Sequence, residues 1–209
     1  MASTLDQAIC QILDSSSTTI GEVDLFSNYN SSQVSVWNAE YPEVVDALVH
    51  DLALRNSLTH PGTLAVEAWD GALSYHDLGV LSTKLACHLR ALSIGPEVKV
   101  PLCFSKSLWM IVSMLAVLKS GGACVALDPK HPPNRLRGII EDVDAKVILC
   151  SPEHAALFEH PVSDLKITIV SAESVRSLVI TGMSHESEVK PENAAFVVFT
   201  SGKIGRAHV

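Results

Sequence analysis

From Tyr41 onward, apolar and polar positions switch repeatedly between a helical and a strand period. Val44, Val45, Leu48, Leu52 and Ala53 recur at helical spacing, with Pro42 near the start, where a helix tolerates proline. Leu64 to Trp69 alternates at the strand period, and Asp70-Gly71 is a turn signal. Ser74-Tyr75-His76-Asp77 has the form of a capping box with Asp in place of Glu: Ser74 can accept from an orphan N–H while Asp77 reaches back. The helix it opens is expected to run to about Leu92, ahead of Gly95-Pro96. Val98 to Phe104 reads as a strand interrupted by Lys99 and Pro101. Leu108, Ile111, Val112, Leu115 and Leu118 then mark a stripe that Met110, Met114 and Val117 widen, which predicts a helix buried over most of its surface. Gly121-Gly122 is a suitable stop.

Further on, Cys124 to Leu127 is a short strand broken by Asp128-Pro129 and Pro132-Pro133. A helix over Arg135 to Val143 and a strand over Lys146 to Cys150 follow, and Ser151-Pro152-Glu153 begins another helix. Ile167 to Val170 and Ala195 to Thr200 complete the strands. The first 40 or so residues are less regular: Ser15-Ser16-Ser17-Thr18-Thr19 is linker-like, and TIGEVDLF (Thr19 to Phe26) has apolar positions without a clean period. Strands alternating with helices predict an α/β fold with a mainly parallel sheet covered on both faces. Such sheets bind ligands at the carboxyl ends of their strands, and Thr200-Ser201-Gly202 falls at one.

At 209 residues, 47% hydrophobic and 18% charged, the chain has room for one medium domain, or one domain plus part of another, with a real core. A net charge of −8 argues against binding a phosphate backbone, since nucleic-acid modules carry a basic footprint. The N-terminus lacks the pattern of a secretory signal, and the longest apolar stretch, Leu108 to Leu118, is shorter than the ~20 residues of a membrane span. No membrane partner and a cytoplasmic location are therefore expected. The five cysteines are scattered, with no C-x-x-C, and read as buried free thiols rather than zinc ligands or disulfides.

Candidate chemistry is sparse. A Thr-Ser-Gly loop after a buried strand can cradle phosphate through backbone N–H groups and hydroxyls, or it can be an ordinary turn. Neither G-x-x-x-x-G-K-[ST] nor G-x-G-x-x-G is present, which leaves a dinucleotide binder without its fingerprint. None of the nine histidines pairs at H-x-x-x-H spacing. His154 and His160, beside Glu153 and Glu159, read as a solvated helix face, and His88 as a packing residue. Glu141, Asp142 and Asp144 read as a solvated helix end. No Ser-His-Asp order stands out from spacing.

The motifs in combination say more. Leu73-Ser74-Tyr75-His76-Asp77-Leu78 resembles the first core motif of nonribosomal peptide synthetase adenylation domains, L-[TS]-Y-x-E-L. The stretch from Leu118 to Asp128, LKSGGACVALD, resembles the second, L-K-A-G-x-A-Y-V-P-I-D. Phe196 to Gly202 resembles the start of the third, the phosphate-binding loop of adenylate-forming enzymes. His131 to Leu136 is also similar to this family, and Trp37-Asn38 with TIGEVDLF resembles the end of a preceding condensation domain and its linker in fungal-type synthetases. The departures are Asp77 for Glu, Ala126 for Pro, and the stretch after Gly202: Lys203 and Ile204 stand at hydroxyl positions, Gly205 matches, Ala207 replaces Pro and His208 replaces Lys.

The resemblance implies the N-terminal part of the adenylate-forming enzyme fold, truncated. It assigns residues 1–40 to a condensation-domain end plus linker, 41–202 to the adenylation domain, and 203–209 to a non-native tail whose IGRAHV resembles a translated sequencing adapter. It further implies ATP-dependent activation of an amino acid, a ligase reaction in secondary-metabolite biosynthesis. ATP with Mg²⁺ and a phosphopantetheine carrier would serve it, and condensation and carrier domains would flank it. Thr200, Ser201, Gly202 and Gly205 would belong to the nucleotide cradle, with no catalytic or metal-ligating residue assigned. Since the rest of the family's active site lies downstream, and no adjacent histidines supply a condensation motif, this polypeptide alone is expected to be inactive. The competing readings are an acyl-CoA or aryl-CoA ligase and a non-catalytic interaction protein.

Overall fold

The computed structural model describes residues 2–14, 19–23, 25–41, 43–158, 165–179 and 189–199. The chain divides into two compact units, Met1–Val45 and Asp46–Val209. In the first, two helices stand where the sequence looked irregular: α1 (Ala2–Asp14) and α2 (Asn28–Trp37). A helical period was present in α1, where Leu5, Ala8, Ile9, Ile12 and Leu13 recur at spacings of three and four. Helix α2 is mostly polar and owes its start to Ser27, whose hydroxyl accepts from the Asn30 N–H. The Asn30 side chain donates to the Thr4 hydroxyl at 2.9 Å, tying the two helices together.

The second unit opens with α3 (Val49–Leu54) and α4 (Asn56–Thr59). The helix expected from Val44 begins five residues later, and Val44 and Val45 are exposed, with no apolar surface to reward a helical turn there. Next comes an antiparallel hairpin, β1 (Leu64–Ala68) and β2 (Gly71–Ser74), with Trp69-Asp70 at its tip. Ser74 then caps α5 (Tyr75–Ala91), accepting from the Asp77 N–H at 3.1 Å. Asp77 returns to the Ser74 hydroxyl, which donates to its carboxylate at 2.7 Å, and not to the backbone N–H that a capping Glu reaches; its stem is one methylene shorter.

A five-stranded parallel sheet follows, in the order β6-β5-β3-β4-β7: β3 (Lys99–Cys103), β4 (Ala123–Leu127), β5 (Val147–Cys150), β6 (Lys166–Ile169) and β7 (Phe196–Val197). Successive residues feed opposite faces. Cys124, Val147 and Leu149 join α5 and α6 (Leu108–Ser120) in one core, while Val125, Leu127, Ile148 and Cys150 join α7 (Pro133–Asp142) and Phe158 in the other. A short helix, α8 (Ala172–Ser177), sends Val175 into the first core.

Pro101 fits in β3 because of where the ladder starts. The Ser151 N–H donates to the Cys103 carbonyl and the Ala123 N–H to that of Val98, so the odd-numbered backbone groups of β3 face β5. Pairing with β5 begins at Leu102, so the missing N–H of Pro101 falls at the edge of that ladder. Among the described residues, no helix is long and apolar enough to cross a membrane.

Candidate functional site

All five strands run the same way, so their carboxyl ends share one edge of the sheet. Ser105 follows β3 there, Asp128 follows β4, Ser151 follows β5, and Val198-Phe199 follows β7. The end of β7 leads directly to Thr200. Thr200, Ser201, Gly202 and Gly205 themselves lie outside the described residues, as do His160, Glu159, Pro42, Ser15 to Thr18 and the tail 203–209.

Strand β7 enters the sheet beside β4, where the Cys124 N–H donates to the Ala195 carbonyl at 2.8 Å. Polar groups hold its approach. The Glu97 carboxylate accepts from the Asn193 side chain at 3.0 Å and from the Ala194 N–H at 3.1 Å. These two bonds, the Asn193 amide first, hold its pKa below the ordinary glutamate value. The Asn193 side-chain oxygen in turn accepts from the Lys190 N–H at 2.8 Å. Gly121 closes α6 in the left-handed region, at φ +95°, so close to the approach segment that an added Cβ would come within 2.8 Å of Val189 and 3.1 Å of Pro96. Gly121 therefore ends a helix and makes room for the chain that leads into β7.

Buried His50 lines the same corner as Gly121, Gly122, Val189 and Asn193. Burial, above all, holds its pKa below the ordinary value; nearby Lys119 and Arg90 push the same way and Asp51 opposes them. Lys119, half-buried, donates to the Thr83 hydroxyl at 2.5 Å and to the Ser82 hydroxyl and Gly79 carbonyl at 3.3 Å each, and Arg90 donates to the Lys119 carbonyl. These contacts bind α6 to α5.

On the carboxyl edge, a cleft of about 440 Å³ opens between the ends of β3 and β4. Its walls include Lys106, Asp128 and Lys130 over a floor of Phe104, Met110 and Leu127. Arg135 of α7 stands 5.9 Å from the centre of the Phe199 ring, one residue before Thr200. His154 is not on a solvated face, as its spacing suggested. Its side chain is 17% exposed, and its Nε2 is 3.0 Å from the Ser105 hydroxyl. Glu153 approaches that same nitrogen at 3.9 Å, so the trio lacks the relay geometry of a hydrolase, in which the acid orients the opposite ring nitrogen. Sequence reasoning could not find this pair, because Ser105 and His154 are 49 positions apart.

The thiols are free. Burial pushes Cys103 and Cys124 up to about 12 and Cys150 to about 11, which leaves them unreactive at neutral pH. Among the described residues no cluster of three His, Cys, Asp or Glu side chains could hold a metal ion.

A two-faced parallel sheet whose last strand is followed in sequence by Thr-Ser-Gly belongs to the broad class of α/β proteins that bind ligands at strand ends. The model of the family of AMP-binding enzymes matches residues 54–206, and the chain belongs to that family. It is 40% identical over 208 residues to nonribosomal peptide synthetase 4 of Gibberella zeae, covering 98% of this chain and 3% of that protein. It is 38% identical over 190 residues to nonribosomal peptide synthetase 1 of Aspergillus fumigatus, covering 90% and 3%. With D-lysergyl-peptide-synthetase subunit 2 of Epichloe festucae var. lolii it shares 39% identity over 215 residues, 98% of this chain and 15% of that protein.

Among solved structures it is similar to the nonribosomal peptide synthetase FmoA3 bound to α-methyl-L-serine-AMP (TM-score 0.74, 18% identity, 95% of this chain and 22% of that one). It is also similar to VinN in complex with 3-methylaspartate (TM-score 0.67, 26% identity, 75% and 45%). The expected fold, the N-terminal part of the adenylate-forming enzyme fold, and the resemblance to nonribosomal peptide synthetase adenylation domains are both borne out. The chain spans a small fraction of its curated relatives' length.

Proposed function

We propose that this chain is the N-terminal portion of an adenylation domain that activates an amino acid with ATP. The substrate carboxylate attacks the α-phosphorus, the bond to the bridging oxygen of the β-phosphate breaks, and an aminoacyl adenylate and pyrophosphate result. A phosphopantetheine thiol on a carrier domain then takes the acyl group and releases AMP. Thr200, Ser201, Gly202 and Gly205 contribute donors to the triphosphate cradle, and their hydroxyl and backbone N–H chemistry suits the charge that builds on the leaving pyrophosphate. A Mg²⁺ ion, if bound with the nucleotide, would neutralise part of that charge, and as a hard ion that keeps several waters it would need no dedicated protein cage.

The observation that carries this reading is the placement of β7: parallel to β4, aimed at the carboxyl edge, with Thr-Ser-Gly next in sequence. Relatives that are named peptide synthetases favour an amino acid over a fatty or aromatic acid as substrate, and condensation and carrier domains as neighbours. The family resemblance implies that the amino-acid pocket and adenine contacts lie downstream of Gly202.

The test is a chimera: residues 41–202 replace their counterpart in the Gibberella zeae relative, and ATP–pyrophosphate exchange is measured. The chimera exchanges. Replacing both Thr200→Ala and Ser201→Ala lowers the rate roughly 10²–10³-fold, and the isolated chain stays at background. A folded chimera without exchange, or a double variant of undiminished rate, overturns the assignment.

A further inference from the structure

We propose that a second groove, on the opposite flank of the carboxyl edge from the end of β7, binds an organic cation: an ammonium or guanidinium group on a short apolar stem. The groove lies at the ends of β5 and β6, beside the hairpin tip, and Trp69, Asp70, Trp109, Ser151 and Glu153 line it. From β7 to β5 the sheet steps across three strand spacings, roughly 14 Å, so this groove is separate from the proposed triphosphate cradle. At about 210 Å³ it suits a side-chain-sized occupant and not a nucleotide.

Two independent features point to a cation. First, Trp69 is 78% exposed yet fixed: its indole N–H donates to the Lys106 carbonyl at 2.6 Å. An exposed aromatic ring held in one orientation, with a second indole from Trp109 in the same wall, presents the electron-rich surface that attracts cations. Second, both ionisable lining side chains are acids and none is basic. Asp70 uses one carboxylate oxygen to cap α6, accepting from the Leu108 N–H at 3.0 Å. Burial raises the Glu153 pKa, but hydrogen bonds from its own backbone N–H and from the Ser151 hydroxyl, together with His154, outweigh that and hold it below the ordinary value, so the carboxylate is charged at neutral pH. His154, the basic group nearest Glu153, is engaged by Ser105.

The full chain is titrated with Nα-acetyl-lysine methylamide while tryptophan fluorescence is followed, alongside the neutral norleucine analogue and a lysine-containing pentapeptide. The lysine derivative gives a saturable change, and the norleucine analogue binds at least about tenfold more weakly. Trp69→Leu and Glu153→Gln each weaken binding about fivefold, with far-UV circular dichroism unchanged, since both side chains project from the surface. A pentapeptide that binds more tightly than the free derivative assigns the cation to a protein partner; equal affinity assigns it to a small amine. Absence of saturation by the lysine derivative, equal binding of norleucine, or unchanged affinity in both variants overturns the proposal.

Discussion

Strands β3, β4 and β5 are buried on both faces, whereas β7 is two residues long, with Phe196 exposed and its hold on the sheet concentrated in the segment before it. Val100, Val125, Ile148 and Leu149 are fully buried, and each such side chain contributes roughly 1.5–3 kcal/mol of transfer free energy. Strand β7 instead depends on a carboxylate, an amide side chain and a glycine corner. Non-directional burial holds the centre of the sheet, while directional contacts that fix position hold the margin carrying the proposed cradle. The two regions should therefore fail differently.

The largest effect is expected at the centre. Leu149→Ala leaves a cavity between β5 and the helices and costs about 2–5 kcal/mol, read from denaturant unfolding as a lower midpoint with an unchanged slope. Next is Gly121→Ala, which forces a side chain into a left-handed backbone position and against Val189; a loss of about 1–3 kcal/mol is expected, with faster amide exchange at Ala195 to Val197. Equal loss of protection at β3 and β7 in this variant would erase the distinction drawn between them.

Acid comes third. His50 has a folded-state pKa below its unfolded value of about 6.5, so the unfolded chain takes up the proton first. Its contribution to stability is complete above that pH and is lost as pH falls below it. His50→Gln should flatten the stability profile as pH falls below about 6.5. Smallest is Glu97→Gln, which keeps the shape but removes the charge from the clamp: exchange of the Ala194 and Cys124 amides rises several-fold while the melting temperature barely moves.

Much of the centre was legible in the sequence because burial writes itself as periodicity. The α6 stripe, the alternation in β4 and β5, and the Ser74 cap all have local signatures. The approach to β7 was not legible. Glu97 and Asn193 are 96 positions apart, and nothing local marks a glutamate as the partner of a distant asparagine. The Trp69 groove and the Ser105–His154 pair were hidden for the same reason: they exist only once the hairpin tip and two strand ends are brought together. Helix α1 was overlooked although its period was present, because no turn or cap signal drew attention to a run beginning at the chain start. The proposed cradle rests on motif resemblance, since a Thr-Ser-Gly triplet has no distinctive physics in the sequence alone.

Cys103 and Cys150 face each other in register on β3 and β5, and Cys124 sits one strand away, while Cys10 is exposed and Cys87 partly so. A maleimide or iodoacetamide reagent added to native protein therefore meets one open thiol, one half-shielded thiol, and three sealed in hydrocarbon. The sealed trio becomes available only when the sheet itself separates, so its labelling rate is an intrinsic clock for global opening, needing no engineered probe.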